Sequence, residues 1–192
     1  MSEIGWKMSE NQKTLYDRKA LARKIFETSN LKGQFLLRSG VTSNEYFDKY
    51  LFESNPQLLK EIATAMSELL PADVDALAGL ELGGIPLATA ISQVTNIPTL
   101  FVRKKAKEYG TCKIAEGGEI SGRKLVIIED VITSGGQILE SAKELRELGA
   151  NILKVLVVIN REAGGIENLA KDNLELGTLF TMSELKESSK GV

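Results

Sequence analysis

The residues best placed to do chemistry form one run, LVIIEDVITSGGQ, from Leu125 to Gln137. Four apolar residues lead into two adjacent carboxylates, Glu129 and Asp130, and the turn Thr133-Ser134-Gly135-Gly136 follows shortly after. A turn of hydroxyls and glycines ahead of a helix gathers free backbone N–H groups at the positive end of the helix dipole, which favours a phosphate. Carboxylates repel phosphate but accept hydrogen bonds from ribose hydroxyls. A site holding both halves suits a phosphorylated ribose. Neither G-x-x-x-x-G-K-[ST] nor G-x-G-x-x-G occurs in the chain, which weighs against P-loop and dinucleotide sites.

Composition narrows the chemistry further. The 192 residues fit one domain, with 43% apolar and 26% charged residues, as in ordinary globular proteins. There is no histidine, so the usual zinc sets and Ser-His-Asp or Cys-His catalysis are excluded. Cys112 is the single cysteine, which excludes an internal disulfide, and it reads as an incidental reduced thiol. Any metal is therefore a hard cation held by oxygen. Catalysis must rest on carboxylates, lysines, arginines and backbone dipoles. The net charge of -2 gives no global pull toward nucleic acid. No apolar run reaches the ~18 to 20 residues of a membrane span, and MSEIGWKMSENQ lacks the pattern of a secretion signal, so a cytoplasmic location is expected.

The scaffold can be read from periodicity. Residues 12–28 carry Leu15, Leu21, Ile25 and Phe26 at helical spacing. Residues 34–50 hold two short runs around Ser39-Gly40 and Thr42-Ser43-Asn44, a hairpin or two short strands. Asn55-Pro56 opens a helix whose stripe of Leu58, Leu59, Ile62, Met66, Leu69 and Leu70 runs to Pro71. Strands over 75–80, 98–102, 124–128, 152–159 and 176–180 then alternate with helices over 85–94 and 136–148, and a short helix starts at Ser183. The longer helix of that pair turns Ile138, Leu139, Ala142, Leu145 and Leu148 inward and closes at Gly149. Such alternation predicts an α/β fold with an open parallel sheet flanked by helices. Residues 103–119 have no clean period and are long for an α/β connection, which suggests a flexible lid.

In open parallel sheets ligands sit beyond the carboxyl ends of the strands. Those ends carry Glu81 to Gly84, Arg103 to Lys107, Glu129 to Gly136, and Asn160-Arg161. Gly83 and Gly84 serve either close ligand approach or tight packing of helix on strand. Tyr46 and Phe47 read as packing residues.

LVIIEDVITSGGQ resembles the phosphoribosyl pyrophosphate (PRPP) motif of type I phosphoribosyltransferases. FLLRSGVTSNEYFD, AGLELGGIPLATA and VRKKAKEYGT extend the likeness to the orotate phosphoribosyltransferase family, over about Phe35 to Glu162. The resemblance implies the type I phosphoribosyltransferase fold in a single domain, residues 1–192, with a small N-terminal hood (1–54) and a core (55–192). It also implies transfer of phosphoribose from PRPP to orotate with Mg2+ in pyrimidine synthesis.

Residue by residue, it implies that Glu129 and Asp130 face the ribose hydroxyls and, together with PRPP and water, assist the magnesium. Thr133, Ser134, Gly135, Gly136 and Gln137 would bind the 5′-phosphate, with Thr133 also near the base. Arg38 and Arg161 would meet orotate, and Leu82, Gly83 and Gly84 the pyrophosphate. Arg103, Lys104 and Lys107 would close over pyrophosphate, with Lys107 and Asp130 catalytic. The loop 103–119 would complete the neighbouring site of a homodimer. This sequence departs from many members at Tyr109, where they carry histidine, and from some at Gly83, where they carry lysine. A purine or uracil enzyme, or a PRPP-sensing regulator, is the competing expectation; retention of Lys107 favours turnover.

Overall fold

The structure is a computed structural model that describes residues 16–36, 40–105 and 114–190. Its elements run α1 (Arg18–Ser29), β1 (Asn30–Leu36), β2 (Thr42–Phe47), α2 (Lys49–Ser54), α3 (Pro56–Ser67), β3 (Ala76–Leu80), α4 (Gly84–Thr95), β4 (Thr99–Val102), β5 (Ala115–Glu116), β6 (Lys124–Ile132), α5 (Gly136–Glu147), β7 (Asn151–Asn160), α6 (Gly165–Lys171), β8 (Leu176–Thr181) and α7 (Met182–Ser188).

Six strands form one sheet in the order β5-β4-β3-β6-β7-β8, with only β5 antiparallel to its neighbour. Successive residues of a strand face opposite sides, and helices cover both sides, so the central stretches of the inner strands, such as Leu125 to Ile128, are apolar on both faces. In β6, Val126 and Ile128 join Phe52, Ile62, Met66, Leu87 and Ile91 on one face. Leu125 and Ile127 join Ile138, Ala142, Leu145 and Leu169 on the other. The hairpin β1–β2 forms a separate two-stranded sheet. It is tied to α1 through the Asp48 N–H, which donates to the Ser29 carbonyl at 2.9 Å.

Caps explain several boundaries. Asn55 accepts hydrogen bonds from the N–H groups of Gln57 and Leu58 with Pro56 in the first turn, as the sequence suggested. Thr181 and Glu184 form a reciprocal capping box at the start of α7.

Other boundaries differ from expectation. The first helix starts at Arg18, because Asp17 caps it by accepting from Lys19 and Ala20; positions 12–15 lie outside the described residues. The third helix ends at Ser67, short of Pro71. Leu148 is 46% exposed, since α5 stops one residue earlier. The short helices α2 and α6 were not anticipated. The long segment after β4 contains a strand, β5, and the buried Ile114 and Ile120. That strand covers what would otherwise be an open edge of β4. Finally, β6 runs on through the acid pair to Ile132, because β7 continues to pair with it.

Candidate active site

The parallel strands follow the order β4-β3-β6-β7-β8, so the connection after β3 turns to one side and the chain from β6 onward builds the other. A crevice opens at such a reversal, between the carboxyl ends of β3 and β6. The β3 ladder stops at Gly79 opposite Ile128, while β7 accompanies β6 to Ile132 opposite Asn160. Glu129 and Asp130 therefore stand on a strand whose β3 side has fallen away.

Asp130 is fully buried. Its Oδ2 lies 2.5 Å from Lys49 Nζ, an ionic contact without hydrogen-bond alignment, and faces the carboxyl of Glu53. Burial and the neighbouring Asp130 push Glu53 up to about 8. Burial, then Asp130, likewise raises Glu129 well above the usual carboxylate range. Asp130 moves the other way: burial alone would raise it, but the neighbouring Glu129, the Lys49 ammonium and Glu53 outweigh that and lower it. One member of the group thus holds a negative charge while its neighbours favour protons.

Gly83 and Gly84 both fit the packing reading. A Cβ at Gly84 would stand 2.2 Å from the Ile128 carbonyl oxygen, so α4 packs on β6 only without a side chain there. A Cβ at Gly83 would meet Asp130 Oδ2 at 1.7 Å and Glu53 Oε1 at 2.8 Å. The Leu82–Gly84 turn therefore borders the acid pair. A lysine at 83, as in some family members, has no room to start; Lys49 brings its ammonium to the same Asp130 oxygen from α2.

The Thr133–Gln137 turn lines a cavity of about 190 Å³ together with Glu129, Val131, Ile132 and Ile138. No side chain caps the start of α5, which leaves its first backbone donors open to a ligand. Gly135 takes φ 82°, a left-handed conformation that favours glycine. Of the two acids, Glu129 lines this cavity with the turn, while Asp130 is buried behind it.

Arg161 borders a second cavity of about 320 Å³ with Ser43, Glu45, Phe47, Met182 and Lys186. Its backbone N–H donates to the Ile132 carbonyl at 2.9 Å, joining it to the end of β6. The following Glu162 is held from both sides. Its N–H donates to Asn160 Oδ1, and its Oε2 accepts from the N–H and hydroxyl of Ser183 at 3.0 and 2.6 Å. Thr133 lines the turn's cavity and is not among the lining residues of the Arg161 cavity.

Arg103 and Lys104 follow β4, and the Lys104 N–H donates to Glu81 Oε1 at 3.0 Å, which ties the start of the cationic segment to the end of β3. Arg38, Lys107, Tyr109 and Cys112 lie outside the described residues. Tyr46 packs on Phe35 with ring centroids 5.6 Å apart, and Phe47 packs against the core, consistent with a packing role.

Glu129 and Asp130 offer carboxylate oxygens of the kind a hard cation takes. Asp130 Oδ2 and Glu53 Oε1 are buried oxygens without an aligned donor, yet the described residues assemble no cluster of three or more protein ligands. Sequence reasoning missed Lys49 and Glu53. Their i, i+4 spacing on one helical face was the available signal. It also missed Asn168, whose Nδ2 donates to the Ser134 carbonyl at 3.0 Å.

Comparison with known proteins agrees with this geometry. A phosphoribosyl transferase domain model matches residues 52–175. The chain is 51% identical over 165 residues to an orotate phosphoribosyltransferase of Nocardioides sp., covering 86% of this chain and 92% of that protein. It is 44% identical over 156 residues to one from Methanocaldococcus jannaschii, covering 81% and 89%. Among solved structures, Mycobacterium tuberculosis orotate phosphoribosyltransferase in complex with PRPP superposes with a TM-score of 0.76 at 26% identity, covering 88% of this chain and 98% of that one. An identity of 51% across most of both sequences, with the phosphoribosyl transferase domain model matching residues 52–175, places the chain in the orotate phosphoribosyltransferase family.

Proposed function

We propose that this protein transfers the 5-phosphoribosyl group from PRPP to orotate, giving orotidine 5′-monophosphate and pyrophosphate, in de novo UMP biosynthesis. The observation that carries the reading is the meeting, at the ends of β6 and β7, of a buried acid pair, an uncapped glycine turn and Arg161. In the reaction a ring nitrogen of orotate forms a bond to the anomeric carbon as the bond to pyrophosphate breaks. The leaving group takes the bonding electrons, and the ring nitrogen gives up its proton.

Glu129 and Asp130 accept hydrogen bonds from the ribose hydroxyls, and the low pKa of Asp130 keeps an acceptor available. Residues 133–137 bind the 5′-phosphate with backbone and hydroxyl donors. The Leu82–Gly84 turn approaches the pyrophosphate, and Arg103, Lys104 and Lys107 neutralise its growing charge. Arg161, with Arg38, meets the orotate carboxylate. Mg2+, held by PRPP and water with help from Glu129 and Asp130, supplies further charge neutralisation when bound. The cationic segment 103–119 completes the neighbouring site of a homodimer, and the chain acts as a single-domain cytoplasmic enzyme. Among the described residues no helix is long and apolar enough to cross a membrane.

The deciding experiment offers purified protein, PRPP and Mg2+ with orotate, uracil, xanthine, hypoxanthine or adenine in separate reactions. Pyrophosphate release with orotate alone is expected. Consumption of a different base instead, or PRPP binding without turnover of any base, would reject the proposal.

A further inference from the structure

The turn proposed to hold the 5′-phosphate rests on α6, an element that the proposed reaction leaves without a role. Asn168, on α6, donates from Nδ2 to the Ser134 carbonyl, and Lys171 Nζ donates to Asn168 Oδ1 at 3.2 Å. The lysine fixes which end of the amide carries the donor. Packing presses the same two segments together: a Cβ at Gly165, the first residue of α6, would stand 2.7 Å from Ile132 Cδ1 and 2.8 Å from the Thr133 carbonyl oxygen. Gly135 is less tightly confined, since its own Cβ would meet Ile132 Cδ1 at 3.3 Å and Leu169 Cγ at 3.5 Å.

In a trans peptide the C=O and the following N–H point in opposite directions. Holding the Ser134 carbonyl toward α6 therefore turns the Gly135 N–H away from α6. Ser134, Gly135 and Gly136 all line the cavity of about 190 Å³. Without the clamp, that peptide can rotate and present its carbonyl, a partial negative charge, to an anion.

We infer that Asn168 is a positioning residue for phosphate, which orients the 134–135 peptide so that the turn presents donors to the anion. Lys171 supports it by orienting the Asn168 amide. The inference rests on the assignment of the turn to the 5′-phosphate.

The test titrates the metal-free, full-length protein with inorganic phosphate and with ribose 5-phosphate, and measures KM for PRPP separately from kcat. Asn168→Leu removes the donor at similar volume. It is expected to weaken both anions by a common factor of roughly tenfold, the scale of one hydrogen bond to a charged group. KM for PRPP should rise with kcat little changed and the melting temperature within about 2 °C, as for a half-exposed polar side chain. Asn168→His, whose ring N–H can replace the amide donor, should recover most of the affinity, and Lys171→Met should give a smaller loss.

Wild-type binding that Asn168→Leu leaves intact overturns the clamp alone, as does a loss that Asn168→His fails to recover in a protein of unchanged melting temperature. A wild-type protein that binds neither anion overturns the assignment of the turn itself, and the clamp with it.

Discussion

Gly84→Ala separates a glycine required by packing from one that is merely present. The added Cβ would lie 2.2 Å from the Ile128 carbonyl oxygen and 3.1 Å from its carbon. Both are backbone atoms of a central strand, so neither can swing aside as a side chain would. Gly79, on β3, leaves no slack on the other side, because a Cβ there would already meet the Gly84 carbonyl oxygen at 2.7 Å. Relief requires the start of α4 to withdraw by roughly 1 Å or more to reach ordinary contact. Overpacking of this kind costs about 1–3 kcal/mol. For a chain of this size that is a fall of about 2–12 °C in melting temperature. The withdrawn segment carries the Leu82–Gly84 turn, and a displacement of ~1 Å in a positioning element can cost ~10²-fold in turnover. Gly136→Ala is the control: its Cβ would meet nothing within 4 Å, in the first turn of a helix. It should hold or raise the melting temperature by the usual ~0.4–1 kcal/mol of a compatible Gly→Ala change. Thermal unfolding and steady-state kinetics on both variants decide the matter. A Gly84→Ala protein with wild-type melting temperature and kcat/KM would refute the packing argument.

Lys49→Met leaves the buried Asp130 without its cation; because a third of the Lys49 side chain is exposed, we expect a loss of about 1–3 kcal/mol rather than the full cost of breaking a buried pair, together with a higher KM for PRPP. A melting temperature unchanged to within 1 °C would show that the ion pair is inconsequential. Glu53 predicts a pH dependence: its carboxyl holds a proton up to about 8 in the fold, whereas the unfolded chain releases it near ~4.3. The folded state then binds more protons, so this group's contribution is full below the lower value and is lost as pH rises toward the upper one. The melting-temperature advantage of Glu53→Gln over wild type should therefore grow between pH 5 and pH 8, and a constant difference would contradict the proton assignment. Lys107→Ala should lower turnover by ~10²–10³ with PRPP binding largely retained, by analogy with loss of one preformed electrostatic group. Mixing it with Asp130→Asn should restore activity if loops cross between subunits, and a mixture as inactive as its parts would argue against a shared site.

The sequence revealed most where a side chain and its local backbone make the same demand. Leu125 to Ile128 could only be a strand covered on both faces, Asn55-Pro56 could only open a helix, and Gly149 marked the end of another; the structure agrees in each case. The closeness of the acid pair to the Thr133–Gln137 turn was legible because both belong to one continuous segment. The residues that complete the site come from distant parts of the chain. Lys49 reaches Asp130 across 81 positions, and Asn168 reaches the turn across 34. Each lies on a helix of six or seven residues whose periodicity is too brief to register. The strand β5 was illegible for a related reason: two residues carry no alternation, and only the exposed edge of β4 explains them.

The two oxygens of Asp130 have separate duties. Oδ1 accepts from the Val131 N–H next in the chain, and Oδ2 points at Lys49 and the Gly83 turn. The backbone bond sets the rotation of the carboxyl group, so Oδ2 is held toward Lys49 and the Gly83 turn. Only a group with an acceptor at both ends can fill this role. An asparagine of the same shape must turn its NH2 either against the Val131 N–H or against the Lys49 ammonium. A one-atom exchange at this position thus reverses the polarity of one end of a connector between the chain's own backbone and the Lys49 ammonium.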